Sequence, residues 1–332
     1  MRHRPGVTLV EVLVAIFIMG IGMLALLALF PLGAISMAQA LKDDRCAQSA
    51  VNAEAFAVAQ DMRHDIMVAG GGAYTDAFGN PFGTVGAISS TLALAPGYTG
   101  PSNGVIVDPF TYPLDATGAN QQNVGRVAGT SLGLPRRSIA FSVNYGRNVP
   151  MTPPEAARWC SMLDGITFIR GDNVGPNAVP DLSSGPVIRD NRYTWAWLLR
   201  RPLSSDDSVI DMSVIVYSGR PTVLPPSQAG ETTCVATNGV AGGNSVVLTY
   251  AGTKPSLRSG GWILDVSPTK LVPGPPAVQV VYGYPYRVVN VSDTGANQLT
   301  LELQSPLRQA VGLVTVLEYA VEVFDRGSFV QP

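Results

Sequence analysis

The feature that most constrains this chain is an uncharged run near its start. Between Glu11 and Lys42 no residue carries a charge, and residues 12–35 are almost all apolar. At about 1.5 Å per residue, a helix over these residues is roughly 36 Å long and crosses a hydrocarbon core of about 30 Å. A helix in a soluble core would show a polar face, and this run has none. We therefore predict a transmembrane helix at about residues 10–35.

The alternative to a membrane span is a cleaved secretory signal. The apolar region of such a signal has about 7–15 residues and ends at a site of small residues. The run here is longer and lacks a good site of that kind, which favours the membrane span. Arg2 and Arg4 precede the run, and basic residues stay on the cytoplasmic side of a membrane. The large C-terminal part should therefore lie outside the cytoplasm.

Glu11 is the one carboxylate close to the apolar run. An ionisable group at a membrane span is costly, so it suggests a function that involves a partner of opposite charge. If the chain is cut after Gly6, a new α-amine forms at Val7, and that amine on a neighbouring subunit could neutralise Glu11. The other interpretation is a carboxylate in water at a helix N-terminus, where the helix dipole favours it. The residues alone leave both interpretations open.

Residues 6–15, with the sequence GVTLVEVLVA, resemble the N-terminal cleavage and methylation motif of type IV pilins and type II secretion pseudopilins. The resemblance implies that prepilin peptidase cleaves after Gly6 and N-methylates Val7, and that Glu11 is needed for assembly. It also implies further partners, namely other pilin or pseudopilin subunits, an inner-membrane assembly platform and the lipid bilayer. The expected location is the inner (cytoplasmic) membrane as a single-pass protein and, after processing, the pilus or pseudopilus. Residues 19–34 look most like those of a minor pilin.

The helix should continue beyond the membrane, because residues 41–68 contain no glycine or proline. Apolar residues recur there at helical spacing and predict one face that packs on a domain. These residues are Val51, Ala55, Val58, Met62 and Ile66. Three glycines at 70–72 should end the helix. We therefore expect a leader over residues 1–6 and one helix over residues 7–69, membrane-spanning in its first half and amphipathic in its second.

Beyond the helix the sequence predicts an antiparallel β-rich head, so the expected fold class is α+β and pilin-like. Residues 70–218 should form a loop region and a pilin-type β-sheet, with strands at 193–200 and 212–217. Alternation along the first of these strands places Tyr193, Trp195, Trp197 and Leu199 on one face. Residues 219–230 contain three prolines and are typical of a linker, and residues 231–332 should form an additional antiparallel β unit. Further strands are predicted at 104–107, 125–128, 138–145, 165–170, 232–237, 245–250, 262–266, 278–291, 298–304 and 313–324.

Residues for catalysis are scarce in this chain. Its two histidines are His3, in the leader, and His64, on the exposed side of the helix, so we expect no Ser-His-Asp or Cys-His arrangement and no enzyme activity. No His/Cys spacing suggests a metal, no cofactor is indicated, and no basic stripe predicts direct binding of nucleic acid. Cys160 and Cys234 are a possible disulfide. The alternative is that the three cysteines are isolated, buried thiols.

Two functions fit these patterns. The first is a minor pilin or pseudopilin that is cleaved after Gly6 and assembles into a filament. The second is a membrane-tethered extracytoplasmic binding module that is not part of a filament. The sequence does not distinguish a type IV pilus from a type II secretion or DNA-uptake system.

Overall fold

The computed structural model describes residues 8–60, 62, 104–110, 124–125, 133–134, 136–137, 139, 156, 159–162, 192–200, 210–220, 230–270 and 279–329. The chain divides into two compact units, residues 1–47 and residues 48–332. The described elements are one helix and a series of β-strands: α1 (Leu9–Ala59), β1 (Gly104–Val107), β2 (Arg136–Arg137), β3 (Tyr193–Arg200), β4 (Ile210–Ser218), β5 (Glu231–Gly239), β6 (Ser245–Thr249), β7 (Trp262–Asp265), β8 (Pro268–Lys270), β9 (Gln279–Val281), β10 (Tyr284–Gly295), β11 (Gln298–Leu303), β12 (Val311–Leu317) and β13 (Ala320–Phe329). One long helix followed by antiparallel sheets confirms the predicted α+β class.

The helix α1 contains 51 residues and continues through Pro31. Every described side chain in residues 9–41 is exposed, which is the arrangement that a lipid-facing helix requires. By its length and composition, α1 is suited to cross a membrane, as predicted for its first half. The helix ends at Ala59, and residues 63–69 of the predicted helix lie outside the described residues.

In the second unit, α1 packs on the sheet through its alanines. Ala50, Ala53 and Ala57 are fully buried. Trp197 on β3 donates a hydrogen bond from its indole Nε1 to the carbonyl oxygen of Ala53 at 2.9 Å. Its ring also stacks on Phe56, with ring centroids 6.0 Å apart. Because alanine side chains are small, the indole can reach the backbone of the helix.

The predicted packing face of α1 is wrong. Val51 and Val58 are 54% and 57% exposed, and Ala55 is exposed as well. Met62 is buried, and Ile66 lies outside the described residues. The prediction chose a stripe of mostly large apolar residues, whereas the buried face carries small alanines, against which Trp197 of β3 packs. The valines therefore form an exposed apolar stripe.

The first sheet has five strands in the order β13-β4-β3-β1-β2. The β1–β2 pair is parallel, and the other pairs are antiparallel. The central strand β3 is buried almost throughout, because both of its faces are covered. Trp195 and Trp197 lie on the face that meets α1, with their rings in an edge-to-face contact at 6.4 Å. Ala196 and Leu198 point to the opposite face, where they join a second core.

A closed six-stranded barrel follows in the chain. Its strand order is β10-β11-β6-β5-β12-β7, and β7 pairs with β10 to close it. Closure leaves no unpaired strand edge in the barrel. The interior is filled by aliphatic side chains and by Tyr282, Tyr284 and Tyr286. The barrel therefore has a packed core of its own.

The barrel and the first sheet also share a core. Leu264 and Leu317, on the outer side of β7 and β12, pack with Ile106, Ile215 and Leu198 of the sheet. After β12 the chain makes a two-residue turn and enters β13, which pairs with β4. The barrel strands therefore fall, along the chain, between two neighbouring strands of the first sheet. The segment predicted as an additional β unit, residues 231–332, contains strands of both structures.

Several strand predictions agree closely with the structure. The predicted strands 104–107 and 193–200 coincide with β1 and β3, and 212–217 lies within β4. The predicted strand 278–291 is divided between β9 and β10, and 313–324 is divided between β12 and β13. The predicted strand 165–170 lies outside the described residues, as do most of 125–128 and 138–145.

Candidate functional site

The candidate site is the start of α1, where Thr8 and Glu11 form a capping box. Thr8 precedes the first helical residue, and Glu11 lies three positions later. The Glu11 carboxylate oxygen Oε2 accepts a hydrogen bond from the Thr8 backbone N at 2.9 Å and from the Thr8 hydroxyl at 3.1 Å. In return, the Glu11 backbone N donates to the Thr8 hydroxyl at 3.4 Å. This reciprocal arrangement satisfies N–H groups that have no partner within the helix.

The capping box fixes where the Glu11 carboxylate lies. The side chain is in the first turn of α1, where the helix dipole favours negative charge. Both of its hydrogen bonds to Thr8 use the same oxygen, Oε2. The two predicted processing residues, Gly6 and Val7, lie outside the described residues. Thr8 was not singled out from the sequence, although the Thr-x-x-Glu spacing before an apolar run is a recognised signal for a helix start.

The head contains a second group of charged residues, which we call the ionic cluster: Asp108, Arg136, Arg220 and Glu231. Their side chains are no more than 5% exposed. Asp108 follows β1, Arg136 is in β2, Arg220 follows β4, and Glu231 opens β5. The cluster therefore joins the sheet to the first strand of the barrel. Nothing in the sequence indicated it, because its members are separated by up to 123 positions.

Asp108 is the centre of the ionic cluster. Its oxygen Oδ2 lies 2.6 Å from Arg136 Nη1 and 2.7 Å from Arg220 Nη1. Its oxygen Oδ1 accepts from Arg220 Nη2 at 3.0 Å and from the Phe110 backbone N at 3.2 Å. Arg136 also pairs with Glu231. Burial alone would raise the pKa of Asp108, but Arg220 and Arg136 outweigh it and hold that pKa below its ordinary value.

The barrel contains a buried carboxylate, Asp265, with a different environment. Asp265 Oδ1 accepts from the Ser267 backbone N at 2.9 Å, and Oδ2 accepts from Gln309 Nε2 at 2.8 Å. Both of these donors are neutral. Burial raises the pKa of Asp265, and the hydrogen bonds only partly offset that effect.

None of the three cysteines forms a disulfide, so the possible Cys160–Cys234 bridge is not formed in this structure. All three thiols are buried. Burial raises the pKa of Cys234 to about 11, and it raises the pKa of Cys160 further. A thiol with a raised pKa is a poor nucleophile at neutral pH, because little of it is ionised.

The described residues show no grouping of three His, Cys, Asp or Glu side chains that could hold a metal ion. His64 lies outside them. Charged groups of the described residues form several ion pairs of opposite sign, and the ionic cluster is the buried set among them. Their mutual pairing suits a structural role.

Comparison with known proteins gives one match. Residues 1–27 match the family described as the prokaryotic N-terminal methylation motif. No curated protein and no solved structure matches the chain. The match confirms the predicted resemblance to type IV pilins and pseudopilins, and it covers the capping box and the first part of α1. Over residues 1–27, the N-terminus of this chain is therefore similar to that of prepilin-type proteins.

Proposed function

We propose that this chain is a minor pilin or pseudopilin, a membrane-inserted subunit that assembles into a type IV pilus or a type II secretion pseudopilus. The observation that carries the proposal is the methylation motif placed directly at the start of a helix able to span a membrane. An ordinary membrane anchor needs only the apolar run. It does not need Gly6, Thr8 and Glu11 at fixed positions before that run.

In this proposal prepilin peptidase cuts the chain after Gly6 and methylates the amine of Val7. The mature chain then begins one residue before the capping box, so its α-amine and the Glu11 carboxylate are close along the chain. Thr8 holds the carboxylate at the helix start through Oε2. The charge of Glu11 is then available to the α-amine of a neighbouring subunit, which would neutralise it within the membrane.

The proposed location follows from the orientation of α1. Before processing, the protein is a single-pass protein of the inner membrane with its head outside the cytoplasm. After processing it joins other pilin or pseudopilin subunits with the help of an inner-membrane assembly platform. The role proposed for the head is structural, and no catalytic activity is assigned to it.

Mass spectrometry of the protein from its native membrane tests the processing step. The expected N-terminus is N-methylated Val7, and an intact leader or a cut elsewhere would contradict the proposal. For assembly, Glu11→Ala should abolish incorporation into filaments and leave membrane insertion intact. Asp43→Ala is a matched control, because Asp43 is an exposed carboxylate on the same helix. Equal incorporation of both variants would remove the role proposed for Glu11.

The alternative function is a membrane-tethered extracytoplasmic binding module that does not enter a filament. The observation in its favour is the closed barrel, which adds a second core to the head. The two functions differ in one measurable respect. A processed protein that is never recovered in sheared filaments, while its sister subunits are, would favour the tethered module.

A further inference from the structure

Arg200, the last residue of β3, is a buried arginine that forms no ion pair with the described residues. It lies on the same face of the strand as Leu198, which packs towards the barrel. Arg200 is only 7% exposed. Its Nη2 donates to the neutral hydroxyl of Ser213 at 2.9 Å, and its Nε is buried without a hydrogen-bond partner. The guanidinium is therefore withdrawn from water with most of its hydrogen-bonding capacity unused.

The arginines of the ionic cluster show what Arg200 lacks. Arg136 and Arg220 are buried to a similar degree, at 3% and 5% exposed. The carboxylate oxygen Oδ2 of Asp108 lies 2.6 Å from the first guanidinium and 2.7 Å from the second. Burial of a charge is costly unless the charge is paired and hydrogen-bonded. Arg200 therefore bears the cost of burial without the carboxylate that offsets it in the cluster.

Two aspartates of the sheet act on Arg200 from a distance. Asp211 lies opposite Arg200 on β4, and Asp325 lies on β13. Their carboxylates accept hydrogen bonds from other groups, Asp211 from the Ser328 hydroxyl at 3.5 Å and Asp325 from the Gly327 backbone N at 3.1 Å. Burial lowers the pKa of Arg200, and the two aspartates do not fully offset that effect. The positive charge of Arg200 is therefore only partly compensated by the protein.

A second guanidinium, that of Arg308, lies against the same aromatic ring as Arg200. The ring is that of Tyr284 on β10, and its centroid is 5.6 Å from Arg200 Cζ and 5.1 Å from Arg308 Cζ. Arg308 is exposed and, like Arg200, has no ion-pair partner among the described residues. An aromatic ring attracts cations, but it accepts none of the hydrogen bonds that the guanidinium N–H groups can donate in their own plane. Two like charges thus meet at one tyrosine with donors to spare.

We propose that Arg200, Arg308 and Tyr284 form a binding site for a phosphate group, at the place where the sheet meets the barrel. A guanidinium donates two parallel hydrogen bonds to two oxygens of one oxyanion. A carboxylate has only two oxygens, so one guanidinium satisfies it. A phosphate has more oxygens and about two negative charges at neutral pH, and it therefore matches a pair of guanidiniums. The group can come from inorganic phosphate or from a phospholipid headgroup.

Phosphate binding is tested with the full chain in detergent, so the test does not depend on filament assembly. Inorganic phosphate is titrated at constant ionic strength and should raise the melting temperature, because a ligand of the folded state stabilises it. Arg308→Gln should weaken binding about tenfold or more, since hydrogen bonds to charged groups contribute at least that factor. Arg258→Gln is the matched control, because Arg258 is an exposed arginine between β6 and β7, outside the site. An equal rise with acetate, or equal binding by the two variants, would overturn the assignment.

Arg200→Met tests the buried half of the site. This variant removes an unpaired charge, so it should melt close to the wild type without phosphate and should lose the rise that phosphate causes. A large fall in the melting temperature without phosphate, or an unchanged response to phosphate, would overturn the role of Arg200. A parallel titration with dihexanoyl phosphatidylglycerol identifies the source of the group. A response to this lipid alone assigns the site to a headgroup, a response to inorganic phosphate assigns it to the free ion, and no response to either would overturn the proposal.

Discussion

Removal of the negative charge at the centre of the ionic cluster should destabilise the head strongly. Asp108→Asn keeps the size of the side chain but leaves Arg136 and Arg220 with one carboxylate, Glu231. Asp108 accepts four hydrogen bonds, three of them from guanidinium groups, and it is fully buried. Loss of one member of a buried charge pair typically costs about 3–5 kcal/mol, because the remaining charge cannot be solvated. We expect a loss of that size in the free energy of unfolding.

The assay is urea unfolding of the full chain in detergent, followed by tryptophan fluorescence, because Trp195 and Trp197 are buried in the sheet. Lys254→Met is the matched control. Lys254 pairs with Asp293 at 2.7 Å, the same distance as Arg220 to Asp108, but its side chain is 50% exposed. An exposed pair contributes little, so this variant should unfold like the wild type.

A double variant separates charge from packing. Asp108→Asn combined with Arg220→Met leaves Arg136 and Glu231 as a neutral pair and should recover part of the lost stability. Similar small losses for Asp108→Asn and Lys254→Met would refute the reasoning.

The pH dependence has a definite sign, because the pKa of Asp108 is lowered in the folded state. Its contribution is present above the ordinary aspartate pKa of about 4 and is lost as the pH falls through the folded-state pKa.

Three further predictions concern single positions. Ala53→Leu should lower the free energy of unfolding by about 1–3 kcal/mol through overpacking, whereas Ala55→Leu, on the exposed side of the same helix, should not. Equal urea midpoints for the two variants would contradict the buried alanine face. Gly104→Ala should destabilise the head because its methyl group would clash with the backbone carbonyl oxygen of Tyr282, whereas the methyl group of Gly312→Ala meets no atom within 4 Å. Thermal melts compare the two variants, and an unchanged melting temperature for Gly104→Ala would count against the close contact. Burial raises the pKa of Asp265, so its ionisation should lower the free energy of unfolding as the pH rises from the unfolded-state pKa of about 3.9 towards the folded-state pKa. Asp265→Asn should remove that dependence when denaturation is measured at several pH values, and an unchanged dependence would show that another group is responsible.

The helices and strands that the sequence predicts well here are those in which apolar residues run on or recur with one regular spacing. The long apolar run gives α1, and the run of alternating aromatic residues gives β3 with its bounds, Tyr193–Arg200. The two-residue period of a β-strand also places Trp195 and Trp197 on one face of β3. The same rule fails for the second half of α1, because it counts large residues as buried. There, the large residue comes from the sheet, and the helix supplies Ala50, Ala53 and Ala57.

The candidate site was only partly predictable for a different reason. Glu11 stands out because it is a charge beside an apolar run, and Thr8 was within reach because the capping box is a local pattern. The ionic cluster has no local pattern. Asp108 and Arg220 meet only because β1 and β4 lie on either side of β3 in the sheet. Contacts of that kind depend on the order of the strands in the sheet, and the alternation of apolar and polar residues along a strand does not determine that order.

The largest difference between expectation and structure lies in the last strands. Residues 313–324 are rich in β-branched and other apolar residues and predict one strand, yet the chain turns at residues 318–319 and passes from the barrel to the sheet. At this turn the Glu318 backbone N donates to the oxygen of Gly230 at 2.9 Å, so the chain leaves the barrel beside the point where it entered. The ionic cluster lies at the same entry, through Glu231. Because the entry, the exit and the shared core lie together, the loss of Asp108 should weaken sheet and barrel in one transition rather than release the barrel alone.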